Sequence, residues 1–481
     1  MKKRKILIVA MACLLVFALM LTACTQSEAP AAETAAAEEA TEAPAAEPAA
    51  EEPAAEEPAA EPAGDAAGGQ TQAEAITGGV EATGEPRMVE EREDALDGEP
   101  LNSPDVYTEA EMPGLESAIG VKPLKKYKVA FSNGDMDNDW RATFFNDFVA
   151  QGEYMKEQFG IDFIYANSGN DSAKQIQDIQ ALLAQKPDLL MFSPNESAPL
   201  ATIYDSCKEA GVPFFTIDRS IEAEIGADQY ICDIEGDNIA CGLSMGMAIV
   251  EGLTDKYGEP KGTVAEIAGQ IGSSPAIHRS TGLRMIIEQF PDIKIIQVID
   301  GQFDADTSNA AAQDIFTTNP EVDAVANGCD ASAMQAVTVA ESMGIEGVIY
   351  VSVDGDTTYL KDYIGEGRAY HCAEYPPYFA NTAWEYAIHY LNGEAIPTIV
   401  LVPEREFMMN TEERTAKMEE MFATLDTPFV PASVGGYDVF QMGQYDPELW
   451  SSTYPVNWAA GGGAEYLETL IPDDPYALTN S

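Results

Sequence analysis

Residues 128–192 read KVAFSNGDMDNDWRATFFNDFVAQGEYMKEQFGIDFIYANSGNDSAKQIQDIQALLAQKPDLLMF. Three short apolar runs, Lys128 to Ser132, Asp162 to Ala166 and Leu189 to Phe192, alternate with amphipathic stretches of helix length, Ala142 to Gln158 and Lys174 to Gln185. Apolar strands separated by helices imply right-handed crossovers and a parallel sheet covered on both faces. The alternation continues in runs at Pro213 to Ile217, Thr263 to Ile267, Ile293 to Ile299, Ala324 to Ala326 and Val348 to Val353. Helical periodicity fills the gaps at Pro199 to Ala210, Ile239 to Glu251, Ala276 to Gln289 and Ala333 to Met343. The fold class is α/β, doubly wound. About 280 residues of this pattern exceed what one open sheet usually holds, which predicts two lobes.

In such sheets ligands bind in the crevice beyond the carboxyl ends of the strands. The residues just after each run are polar: Asn133 and Asp135, Asp218-Arg219, Phe303 and Asp304, Asp330, and Asp354. Sugars present adjacent hydroxyls on an edge and C–H groups on their faces. Asp and Arg supply paired, charge-assisted hydrogen bonds, and Trp or Phe supplies apolar surface. A site built to bond hydroxyls also rejects analogues that lack them.

The chain begins with Lys2, Lys3, Arg4 and Lys5 and an apolar run from Ile6 to about Leu19, shorter than the roughly 20 residues of a membrane span. This reads as a signal peptide, 1–23. It ends in Leu21-Thr22-Ala23-Cys24, which resembles the bacterial lipobox and makes Cys24 the expected lipidation site. The alternative is an uncleaved anchor with a chance cysteine, and either places the rest of the chain outside the cytoplasm. Residues 24–86 form an Ala, Glu and Pro tract with fifteen acidic residues after Cys24 and no basic or aromatic ones. That composition predicts a disordered acidic tether. The formal net charge of -55 argues against nucleic-acid binding, which needs a basic footprint.

Of seven cysteines, Cys207, Cys232, Cys241, Cys329 and Cys372 remain for the mature body, an odd number without CxxC spacing. Buried free thiols are expected rather than disulfides or a zinc site. Asp135, Asp137 and Asp139 alternate like the start of a calcium loop, but Trp140 stands where that loop needs Gly and Asn146 where it needs Glu. They read as a polar loop before a helix, and neither metal nor cofactor is expected. Asp171 reads as a helix N-cap, with Asn138 and Asp139 as further cap candidates. His278 reads as structural. Asp354-Gly355 is also compatible with a plain turn, and Arg279 with a helix surface.

The order of motifs resembles the type I periplasmic sugar-binding proteins for ribose, galactose and galactofuranose. The motifs are Phe131-Ser132, Asn138-Asp139-Trp140-Arg141, Ile217-Asp218-Arg219-Ser220-Ile221, Gly269-Gln270-Ile271-Gly272-Ser273-Ser274 with Arg279, Gln302-Phe303-Asp304, Val353-Asp354-Gly355 and Ala373-Glu374. The resemblance covers about residues 126–402 and is strongest to the galactofuranose binders. It implies two Rossmann-like lobes joined by three hinge strands that close on a sugar: 126–232 with 375–397, and 233–374 with 398–406. Residues 87–125 and 407–481 are extensions outside it. It implies ligand contacts from Trp140, Arg141, Asp218, Arg219, Arg279, Phe303, Cys329, Asp330, Asp354 and Glu374. Cys329 stands where the family carries Asn, and a thiol cannot give an amide's paired contacts; Asn327 is close by.

The implied function is capture of a small-molecule sugar by a lipid-anchored monomer on the extracytoplasmic face, with delivery to an ABC permease. A membrane sensor reading the closed form is the alternative. A surface glycosidase using Asp218 and Glu374 is a weaker one, since no nucleophile elbow, metal-ligand set or phosphate loop accompanies them. In the C-terminal extension, Thr411 to Phe422 reads as a helix. Tyr437, Phe440, Tyr445, Trp450, Tyr454, Trp458 and Tyr466 argue against disorder there.

Overall fold

A computed structural model describes residues 121–396, 398–402, 405–430 and 474–479. The leader, Cys24, the acidic tract and the aromatic run from Tyr437 to Tyr466 lie outside the described residues.

Two six-stranded sheets form the body. The first contains β1 (Lys128–Asn133), β2 (Asp162–Asn167), β3 (Leu189–Ser193), β4 (Phe214–Ile217), β5 (Tyr230–Gly236) and β11 (Ile399–Val402), in the order β11-β5-β4-β3-β1-β2. All its pairings are parallel. Its crossovers include α1 (Asp139–Phe159), α2 (Ser172–Leu183), α3 (Ser197–Leu200) and α4 (Thr202–Ala210). The second contains β6 (Gly262–Ala268), β7 (Ile293–Asp300), β8 (Ala324–Asn327), β9 (Ile349–Asp354), β10 (His371–Glu374) and β12 (Glu406–Phe407), in the order β12-β10-β9-β8-β6-β7. Only β12 runs antiparallel in it. Around it lie α5 (Asn238–Tyr257), α6 (Ser274–Ile287), α7 (Ala305–Thr318) and α8 (Asp330–Met343), while α9 (Ala380–Leu391) returns to pack on α1.

Local chemistry sets the helix ends. The Asn138 side chain accepts from the Arg141 amide at 2.7 Å to start α1, and Gly160, at φ 69°, ends it with its N–H on the Lys156 carbonyl. Asp171 caps α2 through the Lys174 amide at 2.9 Å, as its position before Ser172 predicts. Between α5 and α6 the backbones touch. A Cβ on Gly242 would lie 2.2 Å from the Arg279 carbonyl oxygen, and one on Gly282 would lie 2.3 Å from that of Ile239. No side chain fits there, and the contact fixes where α6 aims Arg279.

The chain passes between the sheets three times, at Gly236–Asn238, at Glu374–Ala380 and between Val402 and Arg405. These passages correct two expected boundaries. The first-lobe strand β5 runs to Gly236, past the expected border at 232. The 398–406 segment is split, because Ile399–Val402 pairs with β5 in the first sheet and only Glu406–Phe407 joins the second. The described part of the expected C-terminal extension up to Val430 is integral to the second lobe: α10 (Glu412–Phe422) is capped by Thr411 and buries Met418 with Tyr359, Leu360 and Phe407. Further on, Ala477 accepts from Arg284 Nε at 2.9 Å, and Thr479 Oγ1 accepts from the Ile295 amide at 3.0 Å. At the other end, Asn392 bonds the Leu124 amide and the Lys122 carbonyl, each at 2.9 Å. All five cysteines of the body are free and buried.

Buried carboxyls give the fold a definite pH response. Burial pushes Asp233 from 3.8 up to about 7 and raises Asp147 and Asp237 as well. A raised carboxyl binds more protons folded than unfolded, so its contribution to stability is present at low pH and lost as pH rises from about 4 through 7. Asp304 and Asp323 are lowered and lose their contribution below about 4. The melting temperature is therefore expected to rise as pH falls from 8 to 6.5, above the range where the buried neutral His278 and His371, held near 3, work in the opposite direction, and to drop below 4. Calorimetry in which Tm is flat or climbs with pH between 6.5 and 8 contradicts this ledger of buried acids.

Candidate functional site

The carboxyl ends of both sheets face one cavity of about 260 Å³. At about 30 Å³ per water it has room for eight or nine waters, a monosaccharide's scale. Residues from both lobes line it, including Trp140, Arg141, Asp218, Arg219, Arg279, Phe303, Cys329, Asp330 and Asp354. Nine of the ten expected contacts are thus brought together.

From the first lobe, Asp218 follows β4 at φ 69°, an unusual backbone for a non-glycine residue that turns the chain at the strand end. Its carboxylate meets Arg141 Nη1 at 2.7 Å and the Ser193 hydroxyl at 3.0 Å. Arg141 and Asp218 are both almost fully buried. Arg219 reaches across the cleft, giving Nη1 to the Asn195 carbonyl at 2.6 Å and to Gln270 Oε1 at 2.9 Å. Burial and the neighbouring Arg141 push its guanidinium down to about 9. Its buried Nε–H has no hydrogen-bond partner in the protein and lies 3.9 Å from the Asp218 carboxylate.

From the second lobe, Arg279 gives Nε to Asn238 at 2.9 Å and Nη1 to the Gly328 carbonyl at 2.7 Å, with Asp354 at 3.9 Å. It is therefore neither a helix-surface residue nor free to move. Asp354 ends β9, and burial, with the Asp330 carboxyl, raises it well above the usual carboxylate range. Asp330 touches the cavity but its oxygens are spent: they accept from Ser352, from the Gly355 and Asp356 amides at 2.9 and 2.7 Å, and from the Cys372 thiol. It braces the turn that presents Asp354.

Phe303 lies between two guanidiniums, with Arg219 and Arg279 carbons 5.6 and 5.7 Å from its ring centre. Trp140 gives its indole N–H to the Tyr375 carbonyl at 2.7 Å, so only its ring is left for a ligand. Asn138, besides capping α1, donates to the Phe303 carbonyl at 3.0 Å across the cleft. Cys329 stays a neutral thiol, pushed up to about 12 by burial, and contacts the Ser332 hydroxyl at 3.1 Å. Asn327, its neighbour, is turned away and donates to the Val325 and Val351 carbonyls. His278 is buried and pushed down to about 3 by burial and Arg279, which keeps it neutral.

Glu374 is the correction. It is fully buried and faces away from the cavity, held by Arg405 at 2.6 and 2.7 Å and by the Arg405 amide at 2.8 Å. The next residue, Tyr375, lines the cavity instead, with its hydroxyl on the Asp218 carbonyl at 2.9 Å. Successive side chains point to opposite sides of a strand, so one step along the chain exchanges the ion pair for the cleft. Sequence reasoning also missed Met334 and Phe429. Nothing in the sequence near Phe429 signals the cleft; tertiary docking brings it there. Arg405→Ala leaves the Glu374 charge buried without its guanidinium, with the residue 405 amide still donating to it. A loss of about 3 kcal/mol in urea denaturation is expected, the low end for breaking a buried pair because Arg405 keeps 20% exposure. Ligand affinity of the folded variant should stay within about threefold, and a tenfold fall would return Glu374 to the binding site.

Comparison with known proteins agrees with this geometry. A profile for the periplasmic binding protein domain matches residues 129–468. The ribose import binding protein of Bacillus subtilis is 26% identical over 280 residues, 58% of this chain and 86% of that protein. The galactofuranose-binding protein of Escherichia coli is 31% identical over 175 residues, 36% of this chain and 52% of that protein, about half its length. Among solved structures, the binding component of the arabinose ABC transporter from Shewanella, bound to L-arabinofuranose, superposes with a TM-score of 0.53 at 23% identity. It covers 61% of this chain and 95% of its own, a likeness of fold. These relatives are binding proteins rather than enzymes. With most of its length matched by the profile and two parallel-sheet lobes facing one polar cavity, the chain belongs to the periplasmic binding protein family, in its type I sugar-binding form.

Proposed function

We propose that this protein captures one neutral monosaccharide or polyol in the cleft between its lobes and hands it to an ABC importer. The observation that carries the reading is the buried Arg219 Nε–H of the first lobe, which has no hydrogen-bond partner in the protein, in a cavity that the Asp354 carboxyl of the second lobe also lines, where it accepts a long 3.4 Å bond from the Asp330 amide. A hydroxyl between them supplies the hydrogen bond that Arg219 lacks and a further donor for Asp354. Seven Asp and three Arg side chains line the cavity, which disfavours acidic sugars. The ribose and galactofuranose binders support the ligand class by relationship. A monomer tethered through a lipid on Cys24 and the acidic 24–86 tract is the form of the molecule in this reading.

Arg219→Ala and Asp354→Ala should each weaken binding more than tenfold, consistent with about 2 to 5 kcal/mol for truncating one member of a buried charged hydrogen-bond set. Calorimetry with the ligand found in a thermal-shift screen of aldoses and polyols checks this, and unchanged affinity in either variant removes that residue from the site. Cys24→Ala is expected to move the protein from the membrane fraction to the soluble one. Equal partition of variant and wild type defeats the lipid anchor while leaving the binding site untouched.

A further inference from the structure

Resting on the sugar-binding reading, we propose that Phe429, delivered by the segment after α10, is a wall of the ligand cavity and sets the size of ligand that closure accepts. Phe429 is buried, 2% exposed, and lines the same cavity as Trp140, Asp354 and Tyr375. The segment that carries it is fastened to the second lobe by its backbone. The Val430 amide donates to the Gly355 carbonyl and the Thr357 amide to the Pro428 carbonyl, each at 2.9 Å. The Thr357 hydroxyl donates to the Thr427 carbonyl, Lys361 to that of Leu425, and Asp356 and Phe429 form an antiparallel bridge. The loop so gripped is the turn that follows Asp354. A Cβ on Gly355 would lie 2.6 Å from Val430 Cγ2, so the turn is shaped to receive this segment.

The ring itself belongs to the packed cluster that holds Trp140, Tyr375, Tyr378 and Phe379, and the Phe429 amide donates to the Tyr378 phenol oxygen. Tyr378 precedes α9 and belongs to the first lobe, where Asp147 of α1 faces it. Phe429 is thus anchored on one lobe and touches the other beside the ligand space. A rigid ring in that place limits the ligand by contact, because a packed wall does not yield to an added carbon without strain. The Tyr378 contact, being backbone to side chain, favours closure without reading the ligand.

The test uses three matched pairs of sugars in which the pyranose rings carry the same ring hydroxyls and the hexose adds one hydroxymethyl group: D-ribose with D-allose, D-xylose with D-glucose, and L-arabinose with D-galactose. Affinities of the mature protein are measured by calorimetry, with circular dichroism to confirm folding. In Phe429→Ala the hexose-to-pentose affinity ratio is expected to move toward the hexose by about tenfold or more, the scale of one carbon in a fitted pocket. Phe429→Leu should move it the same way by less. Tyr378→Phe should leave the ratio unchanged while both members of a pair weaken. A ratio within twofold of wild type in folded Phe429→Leu and Phe429→Ala overturns the inference alone. Wild-type protein that binds none of the six, nor any aldose or polyol of the thermal-shift screen, overturns the sugar-binding reading and this inference with it.

Discussion

Three buried guanidiniums share one gap, and the rest of the structure follows from how that charge is held. Burial of an unpaired cation costs several kcal/mol, so each arginine needs fixed partners. Arg141 has Asp218 at 2.7 Å, Arg219 has the Asn195 carbonyl and Gln270, and Arg279 has Asn238, the Gly328 carbonyl and Asp354. These partners come from the carboxyl ends of strands in both sheets and from the loops that follow. The first lobe cannot satisfy Arg219 without Gln270 of the second. In the proposed reading the polar set offered to a ligand is therefore also the set that holds the lobes together, and a ligand would enter the same hydrogen-bond network.

That dual role separates groups that are spent from groups that are available. Asp330, Asn138 and the Trp140 indole nitrogen all line the cavity or its edge, yet each is committed to the protein. A further polar set is sealed off: the Ser244 hydroxyl lies 2.6 Å from His371 Nε2 and donates to Glu406 at 2.9 Å, bridging two groups that are 4.0 Å apart. The residue types are those of a hydrolase triad, but the serine and not the histidine sits in the middle, all three are buried, and burial with Arg414 pushes His371 down to about 3. A histidine so held takes no proton near neutral pH, and the set works as internal support between α5, β10 and β12.

The fold was legible wherever a strand was a continuous apolar run. β1 to β4 and β6 to β9 all lie where hydrophobic runs place them. The strands that escaped are those whose buried positions are polar. β5 carries Asp233 and Glu235 inside, and β10 is four residues, His371-Cys372-Ala373-Glu374, with a polar group at each end. β11 is not among the apolar runs read and falls in a segment assigned by resemblance to the second lobe; its sheet is decided by the third passage between lobes, which no local pattern encodes. The helix α7, Ala305–Thr318, is not among the stretches read, although Asp304 caps it through the Thr307 amide at 2.7 Å, the kind of start signal that marked α2. In the site, motif order located nine residues, while Glu374 and Tyr375 differ by a single pleat that linear reading cannot orient. Phe429 was beyond reach because its place depends on docking far from the strand ends.

The five buried thiols carry a consequence for life outside the cytoplasm, where cysteines ordinarily meet oxidants. Burial pushes Cys207 and Cys329 up to about 12 and also raises Cys372, so the reactive thiolate is scarce and access is closed. Folding thus removes these sulfurs from redox chemistry without joining them. The body needs no oxidase or isomerase to mature, and a half-folded chain is the one state in which mispairing threatens. Speed of folding after export, rather than bond formation, is what protects it.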